Sequence, residues 1–171
     1  TPLVRSRLSR LNGKPVEVQA LWVRALEIGA RLATRFGEPA YAERCREDRQ
    51  QAVSSFRAKF WNETGSYLYD VIDGPEGNDA SIRPNQLYAI SLCDDLVTKE
   101  QAKQLLRVVK EHLLTPVGLR TLSPTDNRYH ARYEGGVLER DGAYHQGTVW
   151  AFLLGPFITA WMKVHGNSRA K

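Results

Sequence analysis

The sequence predicts an all-α fold with one small β-hairpin. Five helical segments can be read along the 171 residues, and turn signals such as Gly37 and the run at residues 62–65 separate them. Their apolar patterns alternate between segments that are apolar nearly all round and segments with a single apolar stripe. With 42% hydrophobic and 25% charged residues, the chain has the composition of an ordinary globular protein.

Three segments, at about residues 15–36, 84–93 and 147–164, are apolar on nearly every side and are predicted to be buried helices. The first of them would place Trp22 in the core, and Pro156 should kink the third. Residues 39–61 and 99–114 instead carry one apolar stripe and a charged face. Thr98 and Gln101 form a capping box at the start of the second of these, and the turn before Ser66 predicts a short hairpin arm at residues 66–72.

The alternation of buried and amphipathic helices indicates two layers. Successive antiparallel helices would put the buried members in an inner ring and the amphipathic members in an outer ring that faces water. A four-helix bundle does not need helices that are apolar all round, and no repeat of 20–50 residues is evident. A double-layered α/α toroid or solenoid satisfies the pattern, and the missing repeat favours the toroid, so we expect residues 1–171 to be a single domain with toroid-like layering.

Charge and cysteine usage narrow the classes of function. The net charge is +5, but only Arg5, Arg7, Arg10 and Lys14 form a basic run, and the other basic residues alternate with acids. This pattern predicts a solvated surface rather than a nucleic-acid site, and no segment predicts a membrane span. Cys45 and Cys93 lie in apolar helical patterns without metal-ligand spacing, which favours a reducing, cytoplasmic location.

The polar and aromatic residues concentrate in three stretches, residues 13–22, 79–86 and 139–150, at or before the starts of the three buried helices. If those helices run parallel, the three stretches share one rim and can form a pocket for a polar ligand such as a sugar. Helix caps, a local ion pair and a structural histidine are the alternative interpretations for individual residues, and Glu17 could simply favour the helix dipole. The predicted substrate-binding residues are Arg83, Asn85, Gln86, Arg140, Asp141, Tyr144, His145, Gln146 and Trp150.

Four motifs carry a resemblance to a known family: GKPVEVQALW at 13–22, SIRPNQ at 81–86, LTPVGLRTLS at 114–123, and RDGAYHQGTVW at 140–150 with LGPF at 154–157. In this order the chain resembles the C-terminal catalytic domain of glycogen debranching enzymes. The resemblance implies part of an (α/α)6 toroid of the glucoamylase type, a six-hairpin glycosidase. It also implies amylo-α-1,6-glucosidase activity on glycogen or branched α-glucans, with no metal or cofactor.

The resemblance also predicts that this chain holds no catalytic residue. The family's general acid is an Asp in a Trp-Met-Asp segment and its base is a Glu in a Ser-Glu-Ile-Phe-like segment, and neither segment occurs here. Asp79, Glu139 and Asp141 are the carboxylates to consider within the chain, preferably as acceptors for sugar hydroxyls.

Two further classes of function stay open at this stage. One is an inactive carbohydrate-binding fragment, and the other is a helical scaffold that binds protein or nucleic acid through its basic face. Half a toroid would expose inner helices, so we expect self-association or contact with the remainder of the domain.

Overall fold

The computed structural model describes residues 13–166, and helices account for more than half of them. The basic run at Arg5, Arg7 and Arg10 lies outside the described residues. No helix within 13–166 is long and apolar enough to cross a membrane. The α-helices are α1 (Val16–Arg35), α2 (Pro39–Lys59), α3 (Tyr88–Ser91), α4 (Lys99–His112), α5 (Val137–Ala143) and α6 (Leu154–His165).

The two longest helices form a hairpin at the start of the described chain. Pro15 precedes α1 in an extended conformation, and Gly37 follows it with a φ of 77°, a left-handed conformation that glycine adopts without strain. Only residues 36–38 separate α1 from α2, which forces the two helices to run antiparallel. Cys45 of α2 then packs with Leu26 and Ala30 of α1 in a small apolar cluster of their own.

Short strands connect and brace the helices in three small antiparallel sheets. The expected hairpin near residues 66–72 is present, and further strands extend it. Each sheet ties a helix end to a later part of the chain, and the last one brings the loop after α4 beside the segment that precedes α6. The strands are β1 (Lys14–Pro15), β2 (Trp61–Asn62), β3 (Tyr67–Leu68), β4 (Val71–Gly74), β5 (Gly77–Asp79), β6 (Leu114–Thr115), β7 (Gly118–Arg120) and β8 (Val149–Trp150). The sheet orders are β1-β4-β5, β2-β3 and β6-β7-β8.

The main core lies where one face of α1, the stripes of α2 and α4, and the apolar faces of α3 and α6 meet. Leu87, Leu105 and Leu106 are fully buried there, as are Leu113 and Leu119 around the turn after α4. Cys93 is also buried, which raises the pKa of its thiol to about 11, and Cys45 and Cys93 are both free thiols. Both cysteines therefore act as small apolar side chains, as their patterns predicted.

The first buried helix differs from its prediction. One face of α1 is buried, but the opposite face is not: Val18, Leu21 and Trp22 are about half exposed, and so are Ile28 and Leu32. The placement of Trp22 in the core was therefore wrong for this chain. Periodicity identified a helix with two apolar faces, but within residues 13–166 only one of the faces has a partner.

The third and fifth predicted helices are also shorter than expected. Residues 84–93 form a 3-10 turn, Pro84–Leu87, followed by the single turn of α3. Residues 147–164 begin as strand β8, pass through a 3-10 turn at Ala151–Leu153 and become α-helical only at Leu154. Pro156 thus lies in the first turn of α6, where its missing N–H has no acceptor to lose, and the kink predicted for a helix interior was misplaced.

The capping box of α4 gives a stability prediction. Thr98 Oγ1 accepts a hydrogen bond from Gln101 N at 3.2 Å, and Gln101 Oε1 accepts one from Thr98 N at 2.9 Å. We expect Thr98→Ala to lower the free energy of unfolding by about 1 kcal/mol, because the backbone N–H of Gln101 at the helix start loses its side-chain acceptor. Urea denaturation followed by circular dichroism measures the change.

Thr64→Ala is the matched control, because Thr64 is exposed and its hydroxyl makes no hydrogen bond within residues 13–166. Equal losses in the two variants would show that the cap does not stabilise α4.

Candidate functional site

Arg83 occupies the centre of the polar region that the sequence pointed to. It precedes Pro84 in an extended conformation, with φ −130° and ψ 156°, as the bulk of a following proline favours. Its side chain is directed inward, and only 7% of the residue is exposed. A guanidinium this deeply buried needs several acceptors, and the structure supplies them from three separate segments.

Arg83 donates its hydrogen bonds mainly to the loop that follows α5. Nη1 donates to the carbonyl oxygens of His145 and, at 3.0 Å, of Thr121, and Nη2 donates to Gln146 Oε1 at 2.9 Å. Nε lies 3.5 Å from Asp70 Oδ2, which is an ion pair between two nearly buried side chains. Arg83 therefore ties residues 145–146 to the β-hairpin and to the β7 segment.

Gln86 and Gln146 are similarly committed to protein partners. Gln86 is 2% exposed, accepts from Leu68 N at 3.3 Å and donates to the Arg83 carbonyl oxygen at 2.9 Å. Gln146 is 8% exposed, and its main-chain carbonyl oxygen accepts a hydrogen bond from His130 N at 2.6 Å. These contacts position the loops around the site rather than offering free polar groups to solvent.

Gly147 allows the backbone of this loop to lie against Tyr129 and His130. Its φ is 134°, and a Cβ at this position would come within 2.5 Å of both the His130 carbonyl oxygen and the ring of Tyr129. Its N–H donates to Thr121 Oγ1 at 2.9 Å. A glycine is therefore required here both by the backbone conformation and by the space available.

A second arginine binds the carboxylates at the edge of the region. Arg128 contacts both carboxylate oxygens of Asp126, at 2.9 Å from Nε and 2.8 Å from Nη2, and lies 3.7 Å from Asp79. This pairing lowers the pKa of Asp126 to about 2. Burial acts to raise the pKa of Asp79, but hydrogen bonds from Ser81 and the charge of Arg128 outweigh it, so that its pKa is lowered. Both carboxylates are therefore ionised at neutral pH.

The pKa of Glu17 is shifted in the opposite direction. Burial in the first turn of α1 raises its pKa, and the hydrogen bonds from its own N–H and from Asn85 and the charge of Arg83 only partly oppose that effect. Its Oε2 atom is buried and has no hydrogen-bond partner within residues 13–166. The sequence interpretation assigned Glu17 to the helix dipole and missed it as a site residue, although its position in the 13–22 stretch was a signal.

An aromatic cluster lies directly beside the loop that Arg83 anchors. The ring centroids of Tyr144 and Trp150 are 4.8 Å apart, and Tyr133 approaches the two edge-on at 6.0 and 6.2 Å. Trp150 Nε1 donates to the Tyr144 carbonyl oxygen at 3.3 Å, and the His145 ring lies 4.8 Å from that of Tyr144. Tyr133 and Tyr144 keep 44% and 40% of their surface exposed, so aromatic surface faces solvent here. Tyr133 was absent from the predicted site, because nothing in its spacing linked it to Trp150.

The structure thus brings together parts of the three polar stretches. Glu17 lies beside Asn85, and Arg83 contacts residues 145 and 146. Arg140 and Asp141 lie on α5, where both residues are exposed. A half-exposed aromatic wall beside fixed carboxylate, amide and guanidinium groups suits a polyhydroxylated ligand, because sugar C–H faces stack on rings and hydroxyls need acceptors and donors.

The family model described as amylo-alpha-1,6-glucosidase matches residues 8–171. The chain belongs to this family. A glycogen debranching enzyme of Saccharomyces cerevisiae is 34% identical over 110 residues, which make up 61% of the chain and 7% of the yeast protein. This member of the amylo-α-1,6-glucosidase family therefore spans only a small part of the length of the yeast protein.

A solved structure named a sialidase has a similar fold. Its TM-score is 0.69 at 14% sequence identity, and the match covers 92% of this chain and 14% of that one. At this sequence identity the likeness concerns the fold alone. It extends over nearly the whole of this chain.

Proposed function

We propose that this chain is the glucan-binding part of a glycogen-debranching glycoside hydrolase, which removes α-1,6-linked glucose from trimmed branches. The observation that carries the proposal is the aromatic cluster of Tyr133, Tyr144 and Trp150 beside the loop that Arg83 anchors, in a chain of the amylo-α-1,6-glucosidase family. The ligand is glycogen or a branched α-glucan. The domain is completed to an (α/α)6 toroid in the cytoplasm, where buried free thiols such as Cys93 remain reduced.

The predicted binding residues divide into two groups in this proposal. Asn85, Tyr144, His145 and Trp150 contact the sugar, with Arg140 and Asp141 at its edge. Arg83, Gln86 and Gln146 act as positioning residues, because their polar atoms already bind protein partners.

Three carboxylates around Arg83, those of Asp70, Asp79 and Asp126, do not suit the acid step of hydrolysis. An inverting glycosidase needs one carboxyl that stays protonated to donate to the leaving oxygen and a second that activates water. Hydrogen bonds from Ser81 and the charge of Arg128 keep Asp79 ionised, Arg128 keeps Asp126 ionised, and Asp70 is paired with Arg83. In the proposal the general acid and base therefore come from other segments of the whole enzyme.

An inactive carbohydrate-binding fragment is the second candidate function. The arginine-bound carboxylates favour it, because they leave the aromatic surface intact and supply no proton donor. A scaffold that binds protein or nucleic acid also uses exposed aromatic rings, so binding experiments are needed to separate these classes.

We expect Trp150→Ala to weaken binding of a glucosyl-branched maltooligosaccharide by about 10-fold, which corresponds to roughly 1.4 kcal/mol for a lost ring contact. Isothermal titration calorimetry on the purified chain measures the affinity. Phe152→Ala is the matched control, because Phe152 is a ring two positions away, is 67% exposed and makes no ring contact within the described part of the chain. Equal affinities of the Trp150→Ala variant and the unmodified chain would contradict the proposal.

A further inference from the structure

Residues 131–142 project from the body of the protein as one segment, and we use the word lid for it below. Every residue in this range is exposed. The lid contains the pair Gly135–Gly136 and all of α5 except its last residue, Ala143, which is buried. The chain is held firmly just before and just after the lid.

The two ends of the lid are fixed by side chains from the segment that precedes α3. Arg128, before the lid, donates to Ser81 Oγ, and Arg83 Nη2 donates to Gln146 Oε1 after the lid at 2.9 Å. His130 N donates to the Gln146 main-chain carbonyl oxygen at 2.6 Å and joins the two ends to each other. The base of the lid is therefore closed, and any motion is confined to the residues between these anchors.

The helix inside the lid lacks the interactions that keep a short helix folded. α5 has seven residues, whereas isolated helices shorter than about 12–15 residues are marginal in water. No side chain caps its start, and Val137 and Leu138 are 66% and 68% exposed instead of packing on the protein. A segment with so little buried apolar surface opens locally at a low cost in free energy.

Two glycines add conformational freedom to the lid. Gly135 has a φ of 92°, a conformation that glycine adopts without strain, and it lies just before α5. Gly142 lies within α5, where a glycine weakens a helix relative to an alanine. A Cβ at Gly142 would meet no atom within 4 Å, so close packing does not require a glycine at this position.

Tyr133 connects the lid to the aromatic pair of Tyr144 and Trp150. Its ring lies edge-on to both, with centroid distances of 6.0 Å to Tyr144 and 6.2 Å to Trp150. Aromatic contacts of this geometry are favourable, and each is individually weak enough to break and re-form.

From these observations we infer that residues 131–142 open and close over the Tyr144–Trp150 pair, with Tyr133 as the contact that holds the lid closed. Opening exposes the two rings to an incoming ligand, and closing excludes water from whatever is bound beside them. That the ligand is a glucan rests on the proposed function, whereas the motion and its dependence on Tyr133 do not.

Amide hydrogen exchange of the purified chain, followed by mass spectrometry, tests the lid without a ligand. We expect Tyr133→Ala to speed the exchange of the α5 amides about 2–10-fold, because loss of the ring contact favours the open lid. Tyr41→Ala is the matched control, since Tyr41 is a 58% exposed tyrosine on α2, and it should leave the exchange of α5 unchanged.

Gly142→Ala gives the opposite expected result. Alanine favours the helical conformation and finds open space at this position, so the α5 amides should exchange about 2–5-fold more slowly. Gly142 is exposed, and this variant should fold as the unmodified chain does.

A glucosyl-branched maltooligosaccharide then tests the role of the lid at the site. At a concentration that saturates binding in calorimetry, we expect exchange within residues 131–142 to slow at least 5-fold, and Tyr133→Ala to abolish most of this protection. Calorimetric binding without protection of the lid would overturn the inference and leave the proposed function standing.

Absence of binding would contradict the proposed function, and the ligand-free exchange would still decide whether the lid exists. An exchange rate of α5 that Tyr133→Ala does not change would overturn the inference, whatever the ligand does.

Discussion

Arg83→Ala is expected to lower the free energy of unfolding by about 3–5 kcal/mol, the usual cost of removing one partner from a buried ion pair. The substitution removes the Arg83 guanidinium from its ion pair with the nearly buried Asp70 carboxylate. It also removes the donor from the carbonyl oxygens of Thr121 and His145 and from Gln146 Oε1. Urea denaturation at pH 7, followed by circular dichroism, measures the loss.

Arg128→Ala is the matched control for this prediction. Arg128 also pairs with carboxylates, but 44% of its side chain is exposed, so the expected loss is about 1 kcal/mol or less. Arg83→Lys keeps the charge but not the planar set of donors, and an intermediate loss is expected, which remains measurable if the alanine variant does not fold. Losses of equal size for Arg83→Ala and Arg128→Ala would show that Arg83 does not hold these segments together.

The purified chain is expected to release glucose from a glucosyl-branched limit dextrin at a rate close to the uncatalysed background. Hydrolysis needs a group that protonates the leaving oxygen and a group that activates water, and each contributes roughly 10²–10⁴-fold. Because Asp79 and Asp126 are bound to Arg128, neither supplies the proton. We therefore expect a rate at least about 10⁴-fold below that of a whole glycogen debranching enzyme assayed beside it.

Two variants make this second prediction decisive. Turnover that disappears in Asp141→Asn or in Glu17→Gln would place a catalytic carboxyl within this chain and would contradict the proposed division of the enzyme. Glu17 is the stricter test of the two, because burial raises its pKa in the direction that a general acid requires.

Much of the helical content could be predicted because it depends on local signals. The capping box at Thr98, the proline at the start of α1 and the apolar stripe of α4 act within one or two helical turns. The short strands were harder, because β6, β7 and β8 are each two or three residues long and β8 pairs with β7, which lies far back along the chain. Residues 147–153, predicted as helix, became strand and 3-10 turn for this reason.

The candidate site shows the same division. Its stretches could be found in the sequence because polar and aromatic residues cluster at 79–86 and 139–150. The roles of the residues in those stretches could not be found in the same way. Arg83 and Asp141 are both charged residues, and the sequence alone does not show which of them is buried. One proved to be buried with four protein partners, and the other lies on an exposed helix.

The sequence by itself determined the family, the helical character and the segments that carry the polar residues, because these depend on residue identity and short-range spacing. Only the tertiary structure decided which face of α1 is buried, and that Trp22 lies on its exposed side. It alone joined Tyr133 to Trp150 and left Glu17 with an unused buried oxygen. Burial and pairing depend on contacts between distant parts of the chain, and helical periodicity states only which residues share a face, not which face finds a partner.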